Sequence, residues 1–362
     1  MAEYAFYVSG QLNGDEGLWK YTFNDSGNSL TETASLSLPR DSGDSVTQIR
    51  TPAIQSDGKV IFADYVNATD VRLYRAAANL GSVDSSFNTP TGYIAHNLTT
   101  YAAKCHPTND DIAIATKANQ QLTYYDKDGG STNWTANVGT DGYSIGYDTT
   151  NDYWVLGLNH SGSSIYRVQH FDETDGSNDA NTYESAASLS VRGIHVDDAV
   201  WWTRDDGASS TGVVHKYPLA SNVETWSCTI SAEPIYGVSV NATGTYVVAV
   251  GARDTTDDNA CIWTINDSTG VEVDTYDCGD TVLNIAYLGG DYFAVVGVHG
   301  TDEDTNVANI RVIKVATNGT ISVLASTAQG TGYLNYTVAS PTTSGGAGGL
   351  TLVTNSGAKW GF

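Results

Sequence analysis

Carboxylates dominate the chemistry open to this sequence: 41 Asp and Glu against 17 Lys and Arg, a formal net charge of −24. Many fall in short clusters, notably Asp205-Asp206, Asp254 with Asp257-Asp258, and Asp302-Glu303-Asp304. Such clusters face basic protein surfaces or cations and act over several ångströms through their combined field. Two further runs, Asp126-Lys-Asp128-Gly and Asp172-Glu-Thr-Asp175-Gly, hold oxygen donors at alternating or nearby positions, the kind of ligand calcium takes. Neither run ends in the bidentate glutamate of a twelve-residue calcium loop. Asp and Asn also cap tight turns through their own side chains. Calcium at Asp126, Asp128, Asp172 or Asp175 is therefore weighed against plain turn formation, and no other cofactor is indicated.

The rest of the chemical inventory is sparse. The seven histidines show no paired metal-ligand spacing, and neither a Gly-x-Ser-x-Gly elbow nor a phosphate-binding glycine loop occurs. Scattered basic residues in an acidic chain cannot displace counterions from a phosphate backbone, so no nucleic-acid partner is expected. The longest apolar runs, such as Tyr246–Val250, are too short to cross a bilayer, and Met1-Ala-Glu-Tyr-Ala-Phe leads directly into strand-like sequence without a secretion leader. No membrane insertion is expected. The four cysteines read mostly as small buried hydrophobes, Cys105 and Cys228 among them; Cys261 and Cys278 flank one hairpin, where a disulfide is weighed against two free thiols. Asn97-Leu-Thr and Asn335-Tyr-Thr match glycosylation acceptors, a pattern that arises by chance in a chain rich in Asn, Ser and Thr.

The elements that must carry these residues recur along the chain. A short apolar segment ending in a polar turn returns roughly every 50 residues, anchored on Leu18, Leu73, Leu122, Ile165, Val214, Ile262, Ile310 and, weakly, Ala358. Before each comes a β-branched and aromatic run, among them Val60-Ile-Phe-Ala, Tyr153-Trp-Val-Leu, Val200-Trp-Trp and Tyr292-Phe-Ala-Val-Val, which reads as a strand buried on both faces. Gly, Asp and Asn turns separate the segments, and no stretch sustains a helical period. Four antiparallel strands per repeat predict an all-β chain, one β-propeller over 1–362, with seven blades expected and eight as the alternative. The N-terminus supplies second, third and outer strands (Tyr4–Gly10, Leu18–Phe23, Ser29–Leu38), and an inner strand near Tyr333–Ala339 closes the ring. Residues 349–362 are surplus to seven blades and read as an extra strand pair or a docking tail.

These blades resemble those of the WD40 and quinoprotein-like propeller superfamily. The resemblance rests on the repeat and on the hairpin Tyr124-Tyr-Asp-Lys-Asp-Gly-Gly-Ser-Thr-Asn-Trp134, where an aspartate and glycine turn precedes a tryptophan as in quinoprotein-type blades. The Gly-His and Trp-Asp signatures of WD40 repeats are missing, and the likeness is one of architecture. The same hairpin is similar to the aspartate box of sialidase-type propellers, but the arginines are scattered along the chain rather than gathered for a substrate carboxylate.

In a propeller the second-to-third loops and the outer-to-inner loops emerge on one face. That places Asp205, Asp206, Asp254, Asp257, Asp258, Asp302, Glu303 and Asp304 on a common acidic face, the expected binding surface. With no catalytic constellation in view, the sequence predicts a binding or assembly module, contacting protein or glycan. Its low lysine content and Gly/Asn/Ser/Thr/Tyr-rich composition point to a structural or surface component of an extracellular particle such as a phage or virus virion. The alternative is a metal-dependent, lactonase-like hydrolase with polar residues near Glu233, Asn284 and Asn335 converging on the axis.

Overall fold

In the computed structural model residues 2–339 are described, apart from 13–14, 38–48, 68–69, 96–99, 117–119, 159–165, 180–182, 185–189, 206–210, 220, 222, 232, 242, 255–258, 298–308 and 328–331. Each repeat folds into one four-stranded antiparallel sheet, and there are seven sheets. From inner to outer strand, blade 2 is Ile49–Ile54, Val60–Asn67, Asp70–Ala76 and Ile94–Ala95; blade 3 is Thr100–Cys105, Ile112–Thr116, Gln121–Tyr125 and Thr132–Asn137. Blade 4 is Gly142–Asp148, Tyr153–Leu158, Tyr166–Asp172 and Tyr183–Glu184; blade 5 is Ser190–Val196, Ala199–Asp205, Gly212–Pro218 and Trp226–Ser231. Blade 6 is Ile235–Val240, Tyr246–Gly251, Ile262–Asn266 and Val271–Tyr276; blade 7 is Val282–Gly289, Tyr292–Gly297, Ile310–Val315 and Ile321–Thr327.

Blade 1 joins the chain ends. Glu3–Leu12, Asp15–Asn24 and Ser29–Leu36 form its second to outer strands, and Gly332–Ala339 supplies the inner one, with Tyr7 opposite Val338 and Gly10 opposite Leu334. This closure is the one the terminal repeats predict. It removes the two free sheet edges that an open ring would expose. Residues 349–362 lie outside the described residues. The only helical feature among the described residues is one wide turn at Asn88–Gly92, and no helix there is long and apolar enough to cross a membrane.

Burial grades from the axis to the rim, because inner and second strands are sandwiched between neighbouring blades while outer strands meet solvent. Tyr246–Gly251 is buried throughout, whereas Val271–Tyr276 is exposed or half-buried at every position. Trp154, Trp201, Phe293 and Val248 all sit in second strands, each at most 1% exposed. The apolar clusters bridge blades: Val248 and Ile262 of blade 6 pack with Ile285, Phe293 and Ile313 of blade 7. Each such side chain contributes roughly 1.5–3 kcal/mol on burial. Cys261 and Cys278 are joined in a disulfide with Cα atoms 6.1 Å apart, as their flanking positions suggest; Cys105 is buried and free, Cys228 half-buried and free.

Polar contacts between blades converge on the third-to-outer turns. At five junctions a side chain of one blade donates to a backbone carbonyl in the next blade's turn. Tyr7 and Lys20 reach Ala78 O at 2.9 and 3.1 Å, and Gln55 and Arg75 reach Lys127 O at 2.8 and 3.1 Å. Trp134 reaches Glu173 O at 2.6 Å, Trp226 reaches Asp267 O at 2.7 Å, and Thr264 reaches Gly319 O at 2.7 Å. The turn carbonyls are unpaired by the sheet, so these donors satisfy groups that partial burial would otherwise leave costly.

Candidate functional site

Every inner strand begins with the same irregularity. In all seven blades the ladder between inner and second strand slips near the end where the outer-to-inner loop enters. The residue left out is Tyr101 in blade 3, Tyr143 in blade 4, Tyr236 in blade 6, Leu283 in blade 7 and Asn335 in blade 1. In blades 2 and 5 the slip takes in two residues, Thr51-Pro52 and Arg192-Gly193, against one on the second strand; Arg50, opposite Ala63, is the last paired residue before the slip in blade 2. A β-bulge raises the local twist and re-aims the extra side chain, which suits the rim of a closed structure. Here the seven bulges stand at the entry end of the inner strands, with Tyr101, Tyr143, Arg192 and Tyr236 in them and Arg50 directly before one. Thr51, next to Arg50, holds φ at 50°, a left-handed conformation that is costly for a β-branched residue and marks a tightly constrained backbone.

Neighbours in this ring touch. The Tyr101 and Tyr143 rings lie 4.8 Å apart between centroids, and the Arg192 guanidinium stands over Tyr143 at 4.5 Å. Arg50 stands over Tyr65, in the second strand of blade 2, also at 4.5 Å. On the far side Tyr236 packs with Ala252 and Leu283. Tyr101, Tyr143 and Tyr236 are 1%, 7% and 4% exposed, so the cluster is largely withdrawn from water. Burial holds the Tyr101 hydroxyl well above the usual phenol range, helped by Tyr143, Tyr65 and Asp141 and opposed by Arg50. It therefore remains a protonated hydrogen-bonding group at neutral pH. A cation over an aromatic face gains about 0.5–2 kcal/mol, more as water is excluded, and it fixes the arginine at low entropy cost. The arrangement suits recognition: two preordered guanidinium groups and three phenol rings at one opening.

The residues singled out in the sequence fall elsewhere. Asp254 is 2% exposed; its carboxylate accepts from the Ser231 hydroxyl at 3.1 Å and its N–H donates to Ala260 O at 2.9 Å. Asp205 ends the second strand of blade 5, opposite Ser190. Asp206, Asp257, Asp258, Asp302, Glu303 and Asp304 lie outside the described residues. Asp126 accepts from the N–H groups of Asp128 and Gly130 at 2.9 and 3.0 Å, closing its own turn, and Asp128 accepts from Arg75 at 2.7 Å. Asp172 and Asp175 likewise accept from Thr174 and Ser177 N–H, each at 2.8 Å. No group of three or more His, Cys, Asp or Glu side chains that could hold a metal ion occurs among the described residues. Of the polar residues expected near the axis, Asn284 is wholly buried in the inner strand of blade 7, Asn335 is the bulged residue of blade 1, and Glu233 lies half-buried in a turn.

Sequence reasoning missed the arginine–tyrosine ring. The available signal was the recurrence of Arg or Tyr one or two residues into five of the seven inner strands: Ile49-Arg50, Thr100-Tyr101, Gly142-Tyr143, Val191-Arg192 and Ile235-Tyr236.

No known family model matches the chain, and no curated protein matches it in sequence. In structure it is similar to a chain from the crystal structure of the mitotic checkpoint complex, with a TM-score of 0.63 and 13% identity over 88% of this chain and 94% of that one. At that identity the likeness is one of fold. It agrees with the WD40-like architecture read from the repeats: seven blades of four antiparallel strands.

Proposed function

We propose that this chain is a non-catalytic binding and assembly propeller that takes a protein partner at the mouth of its axial channel. One observation carries the reading: the Arg50, Tyr65, Tyr101, Tyr143 and Arg192 cluster, in which cations and phenol rings are ordered before any partner arrives. Tyr and Arg are residue types that concentrate binding energy at protein interfaces: Tyr buries large area with few rotamers lost, and Arg presents a planar fork of donors that also stacks on rings. The structural neighbour from a multiprotein complex is in keeping with this role. On the propeller geometry expected from the sequence, the acidic second-to-third loops would rim the same face and steer a partner carrying basic groups.

Within this reading the chain is a structural or surface component of an extracellular particle such as a phage or virus virion. The Cys261–Cys278 disulfide supports an oxidising setting, and the Ser-, Thr- and Asn-rich composition suits a surface kept soluble outside a cell.

Photo-crosslinking tests the proposal. Tyr143→p-benzoylphenylalanine at the mouth and Lys127→p-benzoylphenylalanine on the opposite face are irradiated in native source material, and adducts are identified by mass spectrometry. A protein adduct from position 143 alone is expected. Adducts from position 127 alone would move the partner to the other face. Capture of a glycan on an array, lost in Arg192→Ala, would make the ligand a sugar. Electron microscopy of the source decides whether the chain belongs to a particle.

A further inference from the structure

On the face opposite the mouth, the turn from inner to second strand of blade 3, His106–Asp111, touches three blades. Within blade 3 the Asp111 carboxylate accepts from the Lys127 N–H at 2.9 Å and from the Asn133 amide at 3.2 Å. Toward blade 2 the Asp110 carboxylate accepts from the Ser56 N–H and hydroxyl at 2.6 Å each, and the Asp110 carbonyl accepts from the Gln55 amide at 3.1 Å. Toward blade 4, His106 Nε2 stands 3.8 Å from the Glu173 carboxylate.

A single side-chain atom caps this turn. His106 Nδ1 accepts from the N–H groups of Thr108 and Asn109, two and three residues on, at 3.2 and 3.3 Å. Asp148 has the same place in blade 4, where its Oδ1 accepts from the Thr150 and Asn151 N–H groups at 2.8 and 3.2 Å. Register sets the equivalence, since Cys105 lies opposite Ile112 as Tyr147 lies opposite Trp154. A carboxyl group accepts in either protonation state, whereas an imidazole that takes up a proton loses its acceptor and becomes a donor at both nitrogens. Because Nδ1 accepts, the neutral ring carries its proton on Nε2, the atom that faces Glu173. The ring is 7% exposed and stands edge-on to Tyr147 and Trp154, with centroids 4.4 and 6.0 Å away. Burial lowers His106 from the ordinary histidine value, and the charges of Glu173, Asp111, Asp152 and Asp110 oppose it. The Tyr124 and Tyr147 hydroxyls face the same carboxylates, donating to Glu173 and Asp152 at 2.9 and 3.2 Å, and burial keeps both protonated. A charged ring is therefore drawn toward Glu173 and repelled by the two N–H groups that the neutral ring caps.

We propose that His106 is a proton-operated latch on this face. Neutral, it caps the 106–111 turn and keeps that turn bonded to blades 2 and 3. Protonated at Nδ1 by solvent, it pairs with Glu173, releases the Thr108 and Asn109 N–H groups and loosens the ties to Ser56 and Lys127. The Asp148-capped turn of blade 4 stays shut over the same pH range. The latch is separate from the arginine–tyrosine mouth, and the inference stands whether or not a protein docks there.

Hydrogen exchange of the full chain, corrected for the intrinsic pH dependence of exchange, tests the latch between about pH 7.5 and about pH 5. Protection of segments 105–111 and 126–131 is expected to fall by up to about tenfold per pH unit once the ordinary histidine range is passed, with segment 148–152 unchanged. Nitrogen NMR of labelled histidines should show His106 as the Nε2–H tautomer at neutral pH, with its protonation tracking the loss of protection. His106→Asn sets an oxygen where Nδ1 stands and cannot titrate. It should keep the turn protected at neutral pH and abolish the pH dependence. Unchanged protection of 105–111, an equal loss in both turns, an Nδ1–H tautomer at neutral pH, or pH dependence retained in His106→Asn would each overturn the latch. Should His106→Asn fail to fold, the tautomer and the comparison of the two turns in the wild type decide between the outcomes.

Discussion

Trp226 of blade 5 donates its indole N–H to the carbonyl oxygen of Asp267 in blade 6, and its ring lies over Gly270, where a β-carbon would stand 2.8 Å from the indole. Trp134 makes the same contact one side of blade 4, bonding Glu173 O and covering Gly176, where a β-carbon would stand 2.5 Å away. A tryptophan at the start of an outer strand thus docks on the glycine of the next blade's turn. Gly270 and Gly244 both hold φ in the left-handed region, at +66° and +62°, but nothing lies within 4 Å of a β-carbon at Gly244. Gly244→Ala should therefore cost only the conformational penalty, about 1 kcal/mol. Gly270→Ala should cost about 1–3 kcal/mol more, because it also displaces Trp226. Equal losses in urea denaturation would show that the docked ring adds nothing.

Arg75 ties blade 2 to blade 3 from a site only 3% exposed. Its Nε lies 3.0 Å from Asp84, its Nη1 2.7 Å from Asp128, and its guanidinium 5.1 Å from the Phe87 ring centroid. Asp84 and Asp128 are 16% and 58% exposed, so water takes up part of the loss; Arg75→Met should lower stability by about 1–3 kcal/mol, with Arg75→Lys restoring little because a lysine cannot fork between two carboxylates. Burial alone would raise the Asp84 carboxyl; hydrogen bonds from Ser86 and the charges of Arg75 and Lys59 outweigh it and hold it down to about 2. Its contribution is present above the ordinary carboxylate range and is lost as pH falls toward 2. An NMR titration of Arg75→Met should show Asp84 moving back up, and an unmoved Asp84 would remove Arg75 from the account.

His195 should make the propeller acid-sensitive. Its ring is held down to about 3 in the fold, against 6.5 when unfolded. Above pH 6.5 both states are neutral and nothing is lost. Between 6.5 and 3 the unfolded chain takes up a proton that the fold refuses, so stability falls by up to about 1.4 kcal/mol per pH unit for this group. His106 and His170, both lowered first by burial, add to the same trend. His195→Phe keeps a ring against Trp201 and cannot titrate. Its stability relative to wild type should rise steadily as pH drops from 6.5 to 4, and a constant difference would refute the assignment.

The Cys261–Cys278 disulfide closes a span of 17 residues across the third-to-outer hairpin of blade 6. Closing a loop of that size removes about 3 kcal/mol of unfolded-state freedom. Reductant should lower the melting temperature of the wild type to that of the Cys261→Ser, Cys278→Ser double variant and leave the variant unchanged. Indifference of the wild type to reductant would show the bond to be dispensable.

Replacing Asp257, Asp258, Asp302 and Asp304 with Asn tests the acidic loops. Folding should be unchanged or slightly improved, since neighbouring like charges repel. Association with a basic partner should slow, most at low salt, while dissociation changes little. Association rates equal to wild type at every salt concentration would make this rim a solvated surface with no steering role.

Blade number, strand order and ring closure were all legible in the chain, because they depend on periodic quantities. Apolar runs such as Tyr246–Val250 recur at a near-constant interval between turn residues, and the N-terminal segment lacks the inner strand that Tyr333–Ala339 supplies. Two cysteines flanking one such hairpin left their pairing open, and the fold joins them. Burial of Trp154, Trp201, Val248 and Phe293 followed from their place in runs apolar on both faces. The tryptophan hairpin was recognised at Trp134 and missed at Trp226, where no Asp-Gly turn precedes the ring.

Tertiary structure alone decided what faces the axis. Alternation along a strand tells which residues share a face, but a bulge inserts one residue and shifts that relation, and its position is set by sheet twist and ring closure. Arg50, Tyr101, Tyr143 and Arg192 are scattered over four repeats and become neighbours only because each lies in or beside the bulge that opens its inner strand. Asp254 shows the converse: an acidic loop residue by sequence, it turns inward to accept the Ser231 hydroxyl. Sequence by itself determined the scaffold, through local patterning repeated seven times. The chemistry at the axis was decided by register, a long-range property in which one residue's slip reassigns every side chain that follows.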